Sequence, residues 1–191
     1  MSLEDQDRTI TPFPEGLWAQ PQPTVPGDVD GEPIQRIRVP ASIRYEYIPG
    51  KATTRFLRAL ERKQIIGERT ADTGEVYVPP RGTSPTTGRP TVEQVVLANK
   101  GTVSTFCIVH IGFGVNAPPT PFVTAMVLLD GASVSVYGPI QEIAYDQVHI
   151  GQRVEAVWVD DDQLSTSFEN IKYWRPIDEP DVAPELLKGH M

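Results

Sequence analysis

From about residue 92 to residue 176 the chain repeats one pattern. Short runs of β-branched and aromatic residues alternate with polar ones and are separated by turn residues. The runs fall at 93–98, 101–111, 121–129, 133–137, 152–159 and 166–174. Alternation with period two marks strands that bury one face and wet the other. The turn signals are Asn99-Lys100-Gly101, Asp130-Gly131, Gly138-Pro139 and Asp160-Asp161-Asp162. Five or six short strands of this kind predict a small closed barrel, with a β-sandwich as the alternative. Residues 139–148 (PIQEIAYDQV) are expected to be a connecting turn or short helix.

Proline argues the same way. It occurs 19 times in 191 residues, about twice its usual frequency, and prolines at that density would break the helices of a bundle. Hydrophobic content of 39% still permits a core. No apolar run approaches the roughly 20 residues of a membrane helix. The opening MSLEDQDRTI is polar and acidic, unlike a signal or transit peptide. With one cysteine, Cys107, no disulfide framework or multi-cysteine metal site is available. The expected setting is the cytoplasm.

The net charge is −8, which argues against a general nucleic-acid binder. The charge is unevenly placed: −6 over residues 1–35, +6 over 36–89 and −8 over 90–191. A basic middle between acidic ends suggests either a localised docking or anion-binding face, or plain surface solvation.

Residues 1–49 hold eight prolines and read as an extended, polyproline-like arm. Phe13, Leu17 and Trp18 are costly to leave in water, so the arm either lies on another surface or is a flexible tail. Residues 50–66 are expected as the N-terminal helical segment. Within it 51–65 (KATTRFLRALERKQI) is the best helix candidate, with Thr53 or Thr54 as N-cap. Phe56, Leu57, Ala59 and Leu60 supply its apolar side, and Arg55, Arg58 and Arg62 form a basic stripe on a neighbouring face. That stripe either solvates a surface helix or meets an acidic or phosphate-bearing partner. Residues 67–91 are turn-rich around a short strand at 75–78, and 177–191 look like a tail.

Catalytic signatures are scarce. Cys107 and His110 are three apart on a predicted strand, and an odd separation sends them to opposite faces. Cys107 is expected to be a small buried hydrophobe. His149 and His190 are scattered, and the three consecutive aspartates suit a solvated hairpin tip better than a cation site. Phosphate-loop, nucleophile-elbow and zinc-protease motifs are lacking.

One motif has been emptied. Residues 67–88 read GERTADTGEVYVPPRGTSPTTG. With cysteine at Thr70, Thr73, Ser84 and Thr87 the pattern is C-x2-C-x10-C-x2-C, with glycine after the second and fourth positions. That is the spacing of two facing zinc knuckles.

With those positions restored, the chain resembles a family of rubredoxin-like zinc-ribbon plus OB-fold proteins associated with acyl-CoA enzymes, long catalogued as a domain of unknown function. The resemblance spans about residues 42–178. It rests on SIRYEYIPGKATTRFLRAL, VYVPPRG, GTVSTFCIV, PFVTAMVLLDGA, RVEAVWV and ENIKYWRP, in that order. It implies a mainly β fold, with an N-terminal helix, a ribbon at 67–91 lacking zinc ligands, and an OB barrel at 92–176. It further implies a non-catalytic subunit paired with a thiolase-like, sterol-carrier-protein-type thiolase or aldolase of steroid side-chain breakdown. The implied assembly is a heterotetramer with two copies flanking an enzyme dimer. A hot-dog-fold enoyl-CoA hydratase is the alternative partner. The OB part is expected to help accommodate acyl-CoA, the substrate of the complex.

Arg55, Arg58, Arg62, Arg69, Arg81 and Arg89 are the cationic pool. Arg81 and Arg89 are the candidates for the coenzyme A phosphates. Arg55, Phe56, Arg58, Arg62 and Trp18 are the candidates for the partner surface. Threonine and serine are not zinc ligands, so no zinc and no other bound cofactor is expected. Loss of the metal removes roughly 10–16 kcal/mol of apparent folding energy, and hydroxyl hydrogen bonds, the VYVPPRG segment or a partner must replace it. A single-stranded nucleic-acid binder is a weaker reading. It would use Phe106, Phe122, Trp158, Phe168, Tyr173 and Trp174 as stacking platforms, against a barrel half of −8 that repels phosphate.

Overall fold

Helix α1 spans Lys51–Leu60 and is followed within a few residues by strand β1, Ile65–Thr70. The computed structural model describes residues 45–112 and 118–190. The arm with Trp18 lies outside the described residues up to position 44. The account below concerns the unit Glu46–Met191.

The helix is shorter than the 51–65 expected, and its caps differ. Gly50 takes the N-cap position, so Thr53 and Thr54 sit inside the first turn. At the other end Lys63 adopts a left-handed conformation, φ 54°. Its amide donates to the Leu60 carbonyl (3.0 Å) and the Gln64 amide to the Ala59 carbonyl (3.0 Å). This pair of bonds is the Schellman ending, usually built on glycine. Lys63→Gly is therefore expected to raise stability by about 0.5–1 kcal/mol in denaturant titration, because a side chain is strained there. Lys63 also reaches Asp161 at 2.5 Å, but exposed pairs contribute little.

Strand β1 pairs antiparallel with β2 (Val76–Tyr77) and with β3 (Thr91–Leu97), in the order β2-β1-β3. Two expectations change here. The run at 93–98 belongs to this sheet and not to the barrel. The strand β1 falls partly in the stretch read as helical and turn-rich. Its sequence, IIGERT, carries glycine and two charges, which mask a strand whose residues are nearly all buried.

Strands β4 (Lys100–Val109), β5 (Phe122–Leu129), β6 (Ser135–Ile140), β7 (Arg153–Trp158) and β8 (Ile171–Pro176) close into a barrel in the order β4-β5-β6-β8-β7. All neighbours are antiparallel except β6 and β8, which meet in parallel at Ile140 and Trp174. This five-stranded closed barrel is of the OB type. Strand β5 shows the alternation clearly: Val123, Ala125, Val127 and Leu129 point inward. They meet Val103, Val154 and Trp174 in a core that continues into Phe56, Leu60 and Ile65 of the preceding elements. The last expected strand starts later than 166, since Phe168–Asn170 is a short 3-10 helix. The 139–148 stretch completes β6 and then forms a 3-10 turn at Tyr145–Gln147.

Through its described residues, the expected tail is part of the barrel unit. Ile177 donates its amide to the Arg153 carbonyl (3.1 Å), and Val182 to the Gly151 carbonyl (2.9 Å). Gly151 has φ +94°, and a Cβ there would lie 2.3 Å from the Val182 carbonyl oxygen, so only glycine lets the segment approach. Glu179 bonds Arg153 (2.9 Å) and Lys100, Asp181 bonds His149 (2.8 Å), and Leu187 is buried.

Candidate functional site

The segment between β1 and β3 folds into two matched turns. In the first, Thr70 and Glu75 face each other (N to O 2.9 Å) and the Gly74 amide returns to the Thr70 carbonyl (3.2 Å). In the second, Ser84 and Arg89 pair (2.7 Å) and the Gly88 amide returns to the Ser84 carbonyl (2.9 Å). Gly74 and Gly88 both have positive φ, +73° and +70°, which is why glycine recurs at this spacing.

The four positions that the spacing singled out lie in these turns. Thr70 and Thr73 share a hydroxyl hydrogen bond of 2.7 Å. The Ser84 hydroxyl bonds that of Thr86 (2.9 Å) and accepts the Thr87 amide (3.3 Å). Thr87 donates to Asp72 (2.6 Å) and so ties one turn to the other. That bond holds the Asp72 carboxyl below its ordinary pKa. The Tyr77 hydroxyl donates to Glu75 (2.7 Å), raising its own pKa and lowering that of Glu75. Thr70 and Ser84 are almost fully buried, Thr73 and Thr87 exposed. Hydroxyls thus satisfy one another and the turn amides. Ser84→Ala leaves the Thr87 amide short of an acceptor and is expected to lower stability by about 1 kcal/mol in chemical denaturation.

Beside the turns sits Glu68, 3% exposed. It binds Arg55 of α1, accepts the Gly82 amide (3.0 Å) and accepts the Thr91 hydroxyl (2.7 Å). Burial alone would raise its pKa, but the bonds from Arg55, Thr91 and Gly82 outweigh it and hold the carboxyl below the usual range. One carboxylate therefore ties the helix, the second turn and β3 together. The sequence reading missed it. The available signal was a charged residue inside an otherwise buried run.

The candidate arginines divide. Arg55 is committed to Glu68, and Arg69 to Glu93 (2.8 Å) and the Gly74 carbonyl (3.0 Å). Arg58 and Arg62 stay exposed along a groove of about 240 Å³ that they share with Arg55, Gln64, Ile66 and Gln94. Arg81 and Arg89 are exposed on the turn module, Arg81 lying 6.0 Å from the Tyr77 ring centre. Phe56 was expected with the arginines at a partner surface. It is buried, its ring 5.3 Å from that of Phe168.

Those two rings belong to the larger cavity, about 520 Å³, between α1, the Phe168 turn and the barrel. Leu60, Ile65, Met126, Val136 and Trp174 continue its apolar wall. Its size lies in the range of small-molecule pockets.

Two chemical candidates sit apart. Cys107 is exposed, contrary to the buried role expected, because its neighbours Phe106 and Ile108 take the inward positions. His110 is exposed and packs edge-on to Tyr145 (6.1 Å). His149 uses both ring nitrogens, on the Gln147 carbonyl (3.0 Å) and Asp181 (2.8 Å), which leaves none for a nucleophile. Among the described residues, no group of three or more His, Cys, Asp or Glu is placed to hold a metal ion. The barrel aromatics divide: Trp174 is buried and Phe106 and Trp158 pack on the core, while Phe122 and Tyr173 take the outward positions and Phe168 is half exposed.

Fold and site define an OB-fold protein fronted by a helix and a pair of cysteine-free turns. Sequence comparison narrows the class. A family model described as the ChsH2 C-terminal OB-fold domain matches residues 94–159. A DUF35 domain-containing scaffold protein of Methanocaldococcus jannaschii is 36% identical over 100 residues, covering 51% of this chain and 70% of that one. The chain belongs to the DUF35 family. Among solved structures, the Ltp2-ChsH2(DUF35) aldolase aligns with TM-score 0.51 at 21% identity, over 69% of this chain and 98% of that chain. A DUF35-family protein of unknown function from Sulfolobus solfataricus aligns with TM-score 0.49 at 17% identity, over 66% and 84%.

Proposed function

We propose that this chain is a non-catalytic scaffold subunit of an acyl-CoA-processing enzyme complex. The observation that carries the reading is kinship, at 36% identity, with a protein named as a scaffold. The aldolase whose title pairs Ltp2 with a ChsH2 DUF35 chain suggests the kind of partner. The partner in this reading is a thiolase-like, sterol-carrier-protein-type aldolase or thiolase acting in steroid side-chain degradation. Two copies of the chain flank an enzyme dimer as a heterotetramer, in the cytoplasm.

The apolar cavity offers a wall against which the acyl part can rest, and Arg81 and Arg89 offer charge to the coenzyme A phosphates. Arg58 and Arg62 serve the partner surface. Nucleic acid has no place in this reading, since the half of the chain that holds the barrel is −8. The donor set at 70, 73, 84 and 87 is hydroxyl only, which is unsuited to zinc. Elemental analysis of purified protein is expected to find far less than one zinc per chain.

The test is co-expression with the product of the adjacent gene, followed by pull-down and an activity assay on acyl-CoA substrates. The two proteins should co-purify, and the enzyme should lose stability or activity when this chain is left out. An enzyme equally stable and active without it would end the scaffold reading.

A further inference from the structure

The outer edge of β3 faces no strand. The sheet order β2-β1-β3 ends there; among the described residues β1 is its one partner strand, and at the start of β3 the Thr91 amide also donates to the Gly82 carbonyl (3.1 Å), so the open edge begins after Thr91. The opposite edge is blunted in the ordinary way, since β2 is only two residues long. Strand β3 is seven residues, TVEQVVL, and its one charge, Glu93, is engaged by Arg69. It contains no lysine, and no proline lies within it. An open, β-branched edge of this length is a template for another strand unless something covers it.

The face beside the edge has a chemistry. Val96 stands opposite Ile66 and Gln94 opposite Glu68, and directly paired residues share a face. Glu68 holds Arg55, so this is the face on which α1 lies. Val96 remains 62% exposed on it, and Val92, at the register shift beside Thr91, is 65% exposed. Between them and the helix runs the groove with Arg58 and Arg62. Among the described residues, neither arginine side chain has a hydrogen-bond or ion-pair partner. Backbone groups, two exposed valines and two unneutralised cations thus border one strip of surface.

We propose that the β3 edge is a strand-addition site for an extended acidic segment of the partner enzyme. The segment's backbone pairs with β3. Alternate side chains fall on the α1 face, where carboxylates meet Arg58 and Arg62 and the remainder covers Val92 and Val96. Charge complementarity selects the occupant: Arg58 and Arg62, exposed and without a counter-charge among the described residues, attract an acidic segment and repel a basic one. The proposal rests on the scaffold reading for the source of the segment.

The experiment has two arms. In the first, a labelled peptide of about eight residues alternating Glu and Val is titrated into the full chain. Binding should slow amide exchange at 92–97 and weaken with salt. Arg58→Glu/Arg62→Glu should reduce affinity roughly tenfold or more, with circular dichroism confirming the fold. A Lys-for-Glu peptide, or one N-methylated along its edge-facing side, should bind far less. Equal binding of the Lys peptide, unchanged exchange at 92–97, or a self-dimer of this chain occupying the edge would overturn the proposal.

In the second arm the folded double variant replaces wild type in the co-expression. If wild type co-purifies and the variant does so equally well, strand addition fails while the scaffold reading stands. If wild type itself does not co-purify, the scaffold reading fails, and with it the proposed source of the segment.

Discussion

Glu68→Ala is expected to lower unfolding free energy by about 3 kcal/mol in urea or guanidinium titration. The carboxylate is buried and is the common acceptor for Arg55, the Gly82 amide and the Thr91 hydroxyl. Its removal leaves a partly buried amide and hydroxyl without their acceptor, each costing about 1–3 kcal/mol. Arg55 is half exposed and recovers water, which keeps the loss at the lower end of that for a broken buried pair. Because Arg55 is the link from α1, the helix should also fray in amide exchange, taking Arg58 and Arg62 out of register.

The same site carries a pH dependence with a definite sign. The native pKa of Glu68 is lowered, so folding favours the ionised form. Its contribution is fully present above the unfolded carboxyl value of about 4.3. It is lost as pH falls through the lower native value. Wild type and Glu68→Gln should therefore differ most at neutral pH, and their stabilities should converge in acid. A constant gap down to the acid transition would show that Glu68 is not ionised in the folded protein.

Arg153→Ala is the second large effect, again about 3 kcal/mol by denaturant titration. Arg153 is 7% exposed in a strand of the barrel wall. It grips Asp130 through two bonds, 2.7 and 2.6 Å, and also binds Thr102 (2.9 Å) and Glu179 (2.9 Å). Two-pronged geometry makes these the strong kind of charge-assisted bond. Asp130 opens the turn after β5, and Glu179 lies on the C-terminal segment, so one side chain binds three pieces of chain. Limited proteolysis of the variant should cut within 177–190 before the barrel is lost. Loss of stability without earlier cleavage there would assign Arg153 to the barrel alone.

Legibility in the sequence followed the range of the forces. Strand β5 reads directly, because each side chain's face is set by its neighbours two residues away. The paired turns were legible through spacing and glycine, even without cysteines, since backbone geometry constrains Gly74 and Gly88 independently of a metal. The end of α1 was not legible, because Lys63 occupies a left-handed position that composition assigns to glycine. Cys107 was misplaced inward because a strand pattern supplies the period and leaves its phase to packing; Phe106 and Ile108 claimed the core.

The chain by itself determined a barrel of alternating strands, a short basic amphipathic helix and two glycine-closed turns without metal ligands. Each is a local property, set by covalent spacing and side-chain period. Only the tertiary structure decided that IIGERT is a strand, that 91–97 leaves the barrel for another sheet, and that Glu68 and Arg153 join distant segments. It also separated Arg55, which pairs with Glu68, from Arg58 and Arg62, whose side chains have no counter-charge among the described residues. Those outcomes depend on which residues meet across long stretches of chain, where burial turns one carboxylate or guanidinium into a fixed joint and leaves its neighbour at the surface.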